Sequence, residues 1–187
     1  MGDDDIDARL DALRGTGRYV SLETGGAFGP RRLGGVIEDV GDALVLVQEL
    51  KEFHRSGFVL LRRSEIAAVI ESEVERLFAR MIAAEGLTEE LRAPLPLDLD
   101  AWSDCLRDLR RLYGAVLLEC VAGGGLILYV GRIVRVSRDA VWLRCVTVEG
   151  ALEREALEVP LDEITRVIFD DRYSVFFDRH ASDEGLH

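Results

Sequence analysis

One unit is written twice in this chain, and that duplication restricts the fold more than any motif does. Ile6, Leu10, Leu13, Val20, Leu22, Glu23, Gly35, Ile37 and Val40 recur as Trp102, Leu106, Leu109, Val116, Leu118, Glu119, Gly131, Ile133 and Val136, each 96 positions on. The spacing then drifts. Asp42-Ala43-Leu44 meets Asp139-Ala140-Val141 one residue later, and Glu65-Ile66 with Val69-Ile70 meets Glu163-Ile164 with Val167-Ile168 one later still. Single-residue drift is what insertions in surface loops produce. The architecture must therefore be one small arrangement made twice. A chain of 187 residues is long enough for one large domain or two small ones.

Each copy opens with a helix. Ile6, Leu10 and Leu13 share one face of a 3.6-residue period over residues 3–14, behind the acidic run Asp3-Asp4-Asp5, and Gly15 and Gly17 stop it. Short strand patterns follow at 18–24, 33–40, 43–47, 58–61 and 66–70. They are separated by turn chemistry from Gly25-Gly26 to Gly29-Pro30, at Gly41-Asp42 and at Ser64-Glu65, and by a polar loop from Lys51 to Gly57. Residues 71–86 read as a second helix with the apolar stripe Val74, Leu77, Phe78, Met81 and Ile82 and a Gly86 cap. Pro94 and Pro96 mark 87–98 as a linker.

The second copy repeats this order. A helix starting at Asp98 or Asp100 turns Trp102, Leu106 and Leu109 inward, and strands follow at 115–121, 126–136, 140–147, 156–161 and 164–169. Gly123-Gly124-Gly125 reads as a hairpin turn, and residues 173–177 fit either a strand or a short helix. Five short strands can curl shut and remove their edges, and Gly35 and Gly131 suit sharp bends inside them. The expected fold is mainly β with short helices. It consists of two tandem five-stranded barrels, each preceded by a short α-helix, with domains at 1–86 and 99–187 around the 87–98 linker.

A helix followed by five bent strands resembles the Sm-like (LSm) small barrel of the SH3-like group. Gly35, Ile37, Val40, Leu44 and Leu46 fit the apolar frame of that family's first motif, and Gly131, Ile133, Val136 and Val141 fit it again. The polar positions depart from it. Gly41 and Ser137 stand where the family has Asp, and Val45, with Val141 or Trp142, where it has the RNA-contacting Asn. The stretches 62–66 and 160–164 lack the Gly of its second motif. The resemblance thus implies the barrel, and edge-to-edge homo-oligomers as the family often forms, without carrying over an RNA site. Residues 160–167 also resemble the Pro-Leu-Asp-Glu-Ile-Thr-Arg-Val ending of a barrel found in a type of bacterial protein.

Composition narrows the function classes. No run of uncharged apolar residues is long enough for a membrane helix, and the acidic N-terminus is unlike a secretory signal, so a cytoplasmic location is expected. Cys105, Cys120 and Cys145 fit neither a disulfide framework nor a zinc spacing and read as buried thiols. A net charge of −12 disfavours nucleic acid as a partner.

Candidate site residues are few. His54, His180 and His187 are isolated surface positions. Asp98 and Asp100 read as helix caps and Asp162-Glu163 as a turn. With Asp104 they are the only acidic candidates for a hard cation. Arg31, Arg32, Arg62 and Arg63 form a candidate anion or RNA patch on the first barrel. Leu77, Phe78 and Met81 form a candidate partner-binding helix face. No catalytic, cofactor-binding or metal-binding set is expected. The expected function is a non-enzymatic protein-interaction module or scaffold. The alternative is an Sm-derived RNA-binding protein using the arginine patch.

Overall fold

The computed structural model describes residues 3–25, 30–91, 94–147 and 149–182. The chain divides into two compact units, Met1–Pro96 and Leu97–His187. In the first, helix α1 (Asp3–Leu13) precedes strands β1 (Tyr19–Thr24), β2 (Arg31–Val40), β3 (Leu44–Lys51) and β4 (His54–Arg62). A three-residue 3-10 turn at Arg63–Glu65, strand β5 (Ile66–Ile70), helix α2 (Glu73–Ala84) and a second 3-10 turn at Leu87–Glu90 follow. The second unit repeats the elements from α1 to α2: α3 (Trp102–Leu112), β6 (Ala115–Ala122), β7 (Gly125–Val136), β8 (Ala140–Cys145), β9 (Leu157–Pro160), a 3-10 turn at Leu161–Glu163, β10 (Ile164–Phe169) and α4 (Arg172–His180). The ambiguous tail segment is thus a helix. The duplication read from the sequence extends to the 3-10 turn before the last strand.

All ladders described within the units are antiparallel. Their order is β5-β1-β2-β3-β4 in the first unit and β10-β6-β7-β8-β9 in the second. Closed barrels are not formed. Among the described residues no ladder joins β4 to β5 or β9 to β10, so each sheet stays open. Across the 3-10 turns at Arg63–Glu65 and Leu161–Glu163 the chain leaves β4 and β9, and β5 and β10 pair with β1 and β6 instead.

The sheets bend at matched places. Glu38 is an extra residue between the pairs Ile37–Val47 and Asp39–Leu46, and Val134 is one between Ile133–Leu143 and Arg135–Trp142. Such bulges kink a strand and increase its twist. Close by, Gly35 and Gly131 pass tightly over the facing strand. A Cβ would lie 2.2 Å from the Gln48 carbonyl oxygen at Gly35 and 2.2 Å from that of Arg144 at Gly131. Only glycine fits there.

Helix and sheet both contribute to each core. Ile6, Leu10 and Leu13 of α1, which lies against β2 and β5, are buried together with Leu22, Leu33, Ile37, Leu46 and Leu60 of the first sheet, and Leu106 and Leu109 of α3, which lies against β7 and β8, with Val116, Leu118, Val141 and Phe169 of the second. Each such side chain stabilises its unit by roughly 1.5–3 kcal/mol. All of residues 44–50 are buried, Gln48 and Glu49 as well as the apolar run before them.

Three local expectations change. Residues 51–57 are a tight hairpin, with Glu52 and Phe53 at φ 49° and 64° between Lys51 and His54, and no loop. The residue capping α3 is Ala101, whose side chain makes no cap bond, while Asp98 accepts the Asp100 N–H at 3.0 Å. The start of the predicted linker belongs to the first unit, since Leu87 and Leu91 pack against Val36, Leu50 and Ile82. The turn glycines Gly26 to Gly29 and His187 lie outside the described residues.

Candidate functional site

Helix α2 is placed by one carboxylate. Ser72 is its N-cap, and the Ser72 hydroxyl accepts the Val74 N–H at 3.1 Å. Glu75 receives the Ser72 N–H at 2.9 Å, the Ser72 hydroxyl at 2.5 Å, the Ser21 hydroxyl of β1 at 2.9 Å and the Arg32 guanidinium of β2 at 2.5 Å. Glu75 is only 2% exposed. Burial alone would raise its pKa. The Ser72 hydroxyl and N–H, then Ser21, outweigh that and hold it at about 2. Phe78 then meets Tyr19 edge-on at 5.8 Å and Phe53 at 5.2 Å, and Ile82 completes the inward face over Val36 and Leu50.

With Glu75, Phe78 and Ile82 turned inward, Val74, Leu77 and Met81 are left outside. They are 53%, 45% and 41% exposed. The three lie three and four residues apart, so they form one continuous apolar strip along the helix.

Helix α4 repeats this arrangement with different anchors. Its N-cap Asp171 accepts the Tyr173 and Ser174 N–H groups at 2.8 and 3.1 Å. Superposing the caps Ser72 and Asp171 matches Val74, Glu75, Leu77, Phe78 and Met81 with Tyr173, Ser174, Phe176, Phe177 and His180. Ser174 is fully buried, as Glu75 is, but bonds only within its own turn. The tie to the sheet comes from Asp178, whose carboxylate accepts Arg132 Nε at 2.7 Å while its carbonyl accepts Arg132 Nη2 at 2.7 Å. Gly114 leaves the space for it, since a Cβ there would lie 2.2 Å from Asp178 Oδ2. On the outer face Tyr173 and Phe176 are 53% and 47% exposed, and His180 is exposed beyond them.

The sequence-predicted site residues therefore divide. Leu77 and Met81 lie on the outer strip, whereas Phe78 is turned into the unit. The arginines each serve a local structural contact. Arg32 holds Glu75 under α2. Arg63 binds Asp7 at 2.5 Å and Asp11 at 3.2 Å on α1, and the Gly41 carbonyl at 3.1 Å. The Asp7 hydrogen bond, against desolvation, raises the Arg63 pKa. Arg62 pairs with Glu65 at 3.5 Å, and Arg31 stands opposite Thr24, whose hydroxyl donates to the Arg31 carbonyl at 3.5 Å. Arg63 and Arg32 thus face two different helices.

The remaining groups fit structural roles. His54 and His180 are exposed. Burial pushes the Cys120 thiol up to about 12 and Cys145 up to about 11, and raises Cys105 further, so all three stay protonated at neutral pH. Asp104 pairs with Arg107. Among the described residues no three His, Cys, Asp or Glu side chains gather as metal ligands, and no helix is long and apolar enough to cross a membrane. An apolar cleft of about 270 Å³ beside α2 is lined by Tyr19, Leu50, Phe53, Phe78 and Ile82, with Glu52 at its rim.

Sequence reasoning missed Tyr173 and Phe176 as a surface, and Glu75 and Asp178 as anchors. The alignment of the two caps was the available signal. No protein-family model, curated protein or solved structure matches the chain.

Proposed function

We propose that this protein is a non-enzymatic cytoplasmic interaction module, in which α2 and α4 are the partner-binding elements. One observation carries the reading: an exposed apolar strip recurs at corresponding positions of both units. A single exposed leucine means little, because much of any protein surface is apolar. Two strips at equivalent positions, built from different side chains, point to a retained surface. Leu77 and Met81 on α2 are matched by Phe176 and His180 on α4, so the match lies in exposure and helical position, with residue identity free to vary.

The units themselves are best understood as Sm/SH3-like in plan. The strand order, the glycine bends and the 3-10 turn before the last strand support that reading. The RNA-binding alternative rests on the first unit's arginines, and Arg32 and Arg63 are already bound to carboxylates.

A photo-crosslinking side chain placed at Leu77 or Phe176, with Arg138 as an exposed control, tests the proposal in cells that make the protein. Discrete protein adducts from both helix positions and none from Arg138 are expected. Adducts no stronger than the control, or adducts to RNA, would overturn it.

A further inference from the structure

The charges beside the two strips identify the chemistry of the partner. On α2, Arg76 and Arg80 lie along one side of Val74, Leu77 and Met81. Glu73 also lies on that side, where Arg76 Nη2 holds it at 2.5 Å and Arg80 adds a weaker electrostatic pull that helps lower its pKa, so two cations face one carboxylate there. Glu85 stands one turn past Met81, at the end of the strip. On α4, Arg172 and Arg179 take the corresponding side, both exposed, with their guanidinium groups 5.7 and 5.8 Å from the Phe176 ring centre. By the helical count from the caps, Arg179 matches Arg80. The protein as a whole carries a net charge of −12. Both apolar strips are nevertheless flanked by cations, against the overall trend.

We propose that α2 and α4 each dock an acidic amphipathic helix of a protein partner. Its apolar residues, three and four apart, would pack on Val74, Leu77 and Met81 or on Tyr173 and Phe176, and its Asp or Glu side chains would reach Arg80 or Arg179. This rests on the interaction-module reading and adds the partner's chemical class. A strip two helical turns long matches the contact length of one short helix. Charge selects this occupant over the others. A second copy of this chain would bring together two molecules of net charge −12, and among the described residues the α4 strip offers Arg172 and Arg179 no carboxylate on its own flank. An anionic membrane would be repelled by the net charge of −12, while a helix meets only the strip and its arginines.

The test uses the full chain and two synthetic helical peptides of about five turns. They share Leu residues at helical spacing and differ only in Glu or Lys at the flanking positions. Nuclear magnetic resonance titration with the Glu peptide is expected to shift signals of α2 and α4 selectively, with binding weakening on added salt. Arg80→Glu together with Arg179→Glu should weaken it about tenfold, equivalent to about 1.4 kcal/mol. Leu77→Ser together with Phe176→Ser should abolish it. Equal or tighter binding of the Lys peptide, or no binding of the Glu peptide at millimolar concentration, would overturn the proposal. So would sedimentation of the chain with anionic phosphatidylserine vesicles that the Leu77→Ser and Phe176→Ser changes abolish. If crosslinks from Leu77 and Phe176 to a protein survive the two charge reversals undiminished, the acidic partner is ruled out while the interaction module stands.

Discussion

The two units share backbone devices and differ in the side chains that tie them down. Gly35 and Gly131, the bulges at Glu38 and Val134, the 3-10 turns and the capped final helix occur in both. The anchors of the final helix do not. The first unit uses a carboxylate in the helix's first turn, gathered by β1 and β2, whereas the second uses Asp178 near the other end, gripped by Arg132. Backbone geometry leaves few solutions for a sharp bend, while a helix can be pinned to a sheet in many ways. The contrast also extends to packing. Tyr19 lies over Gly34 in the first unit, where the second has Ala115 and Val130, a large-and-small pair exchanged for two of middle size.

The shared devices should give the largest effects. Gly35→Ala and Gly131→Ala each force a Cβ against backbone that cannot swing aside, and each should cost about 3 kcal/mol or more in urea unfolding. Tolerance of one and not the other would show that the two bends are not equivalent.

The anchors should separate the units next. Glu75→Ala leaves Arg32 and Ser21 without their acceptor and should cost about 3 kcal/mol, while Ser174→Ala should cost about 1 kcal/mol. Acid sharpens this comparison. The Glu75 pKa is depressed from 4.5 to about 2, so the stability it contributes is fully present above about pH 5 and is lost as pH falls toward 2. Between those limits the unaltered protein should lose about 3 kcal/mol more than Glu75→Gln. Parallel pH curves for the two would refute the anchor.

The smallest effect belongs to the exchanged pair. Gly34→Ala brings a Cβ to 2.1 Å from the Tyr19 hydroxyl. It should cost about 1–2 kcal/mol, and noticeably less in a Tyr19→Phe background, which a double-mutant cycle would read directly.

What the sequence reveals here depends on whether a signal is local. The helices and strands announce themselves because Ile6, Leu10 and Leu13, or Val20 and Leu22, fall at spacings that only one local geometry can bury. The Glu52-Phe53 turn does not, because both residues adopt positive φ without the Asn or Gly that normally marks such a hairpin. Barrel closure is not set by the pattern, since five strands permit it but do not say which strand the last one joins, here β1 and β6. The partners of the arginines are hidden for a different reason. Arg63 finds Asp7 from 56 residues away, and Arg32 finds Glu75 from 43, and no local pattern reports such neutralising partners. The periodicity of α2 located an apolar face wider than the helix buries. Which half stays outside was decided by Glu75, a charged residue that no hydrophobic pattern would turn inward.

That carboxylate has a consequence for motion. In an ordinary helix the first turn frays independently, and its amides exchange with solvent through small openings. In α2 the capping group of the first turn is also the ligand of Ser21 and Arg32. Unwinding that turn therefore uncovers a charge and detaches the helix from two strands at once. The Ser72 amide should exchange with deuterium as slowly as the amides of β1, through one shared opening. The outer strip of α2 is thereby displayed on a rigid support, so a partner need not first order the helix it binds.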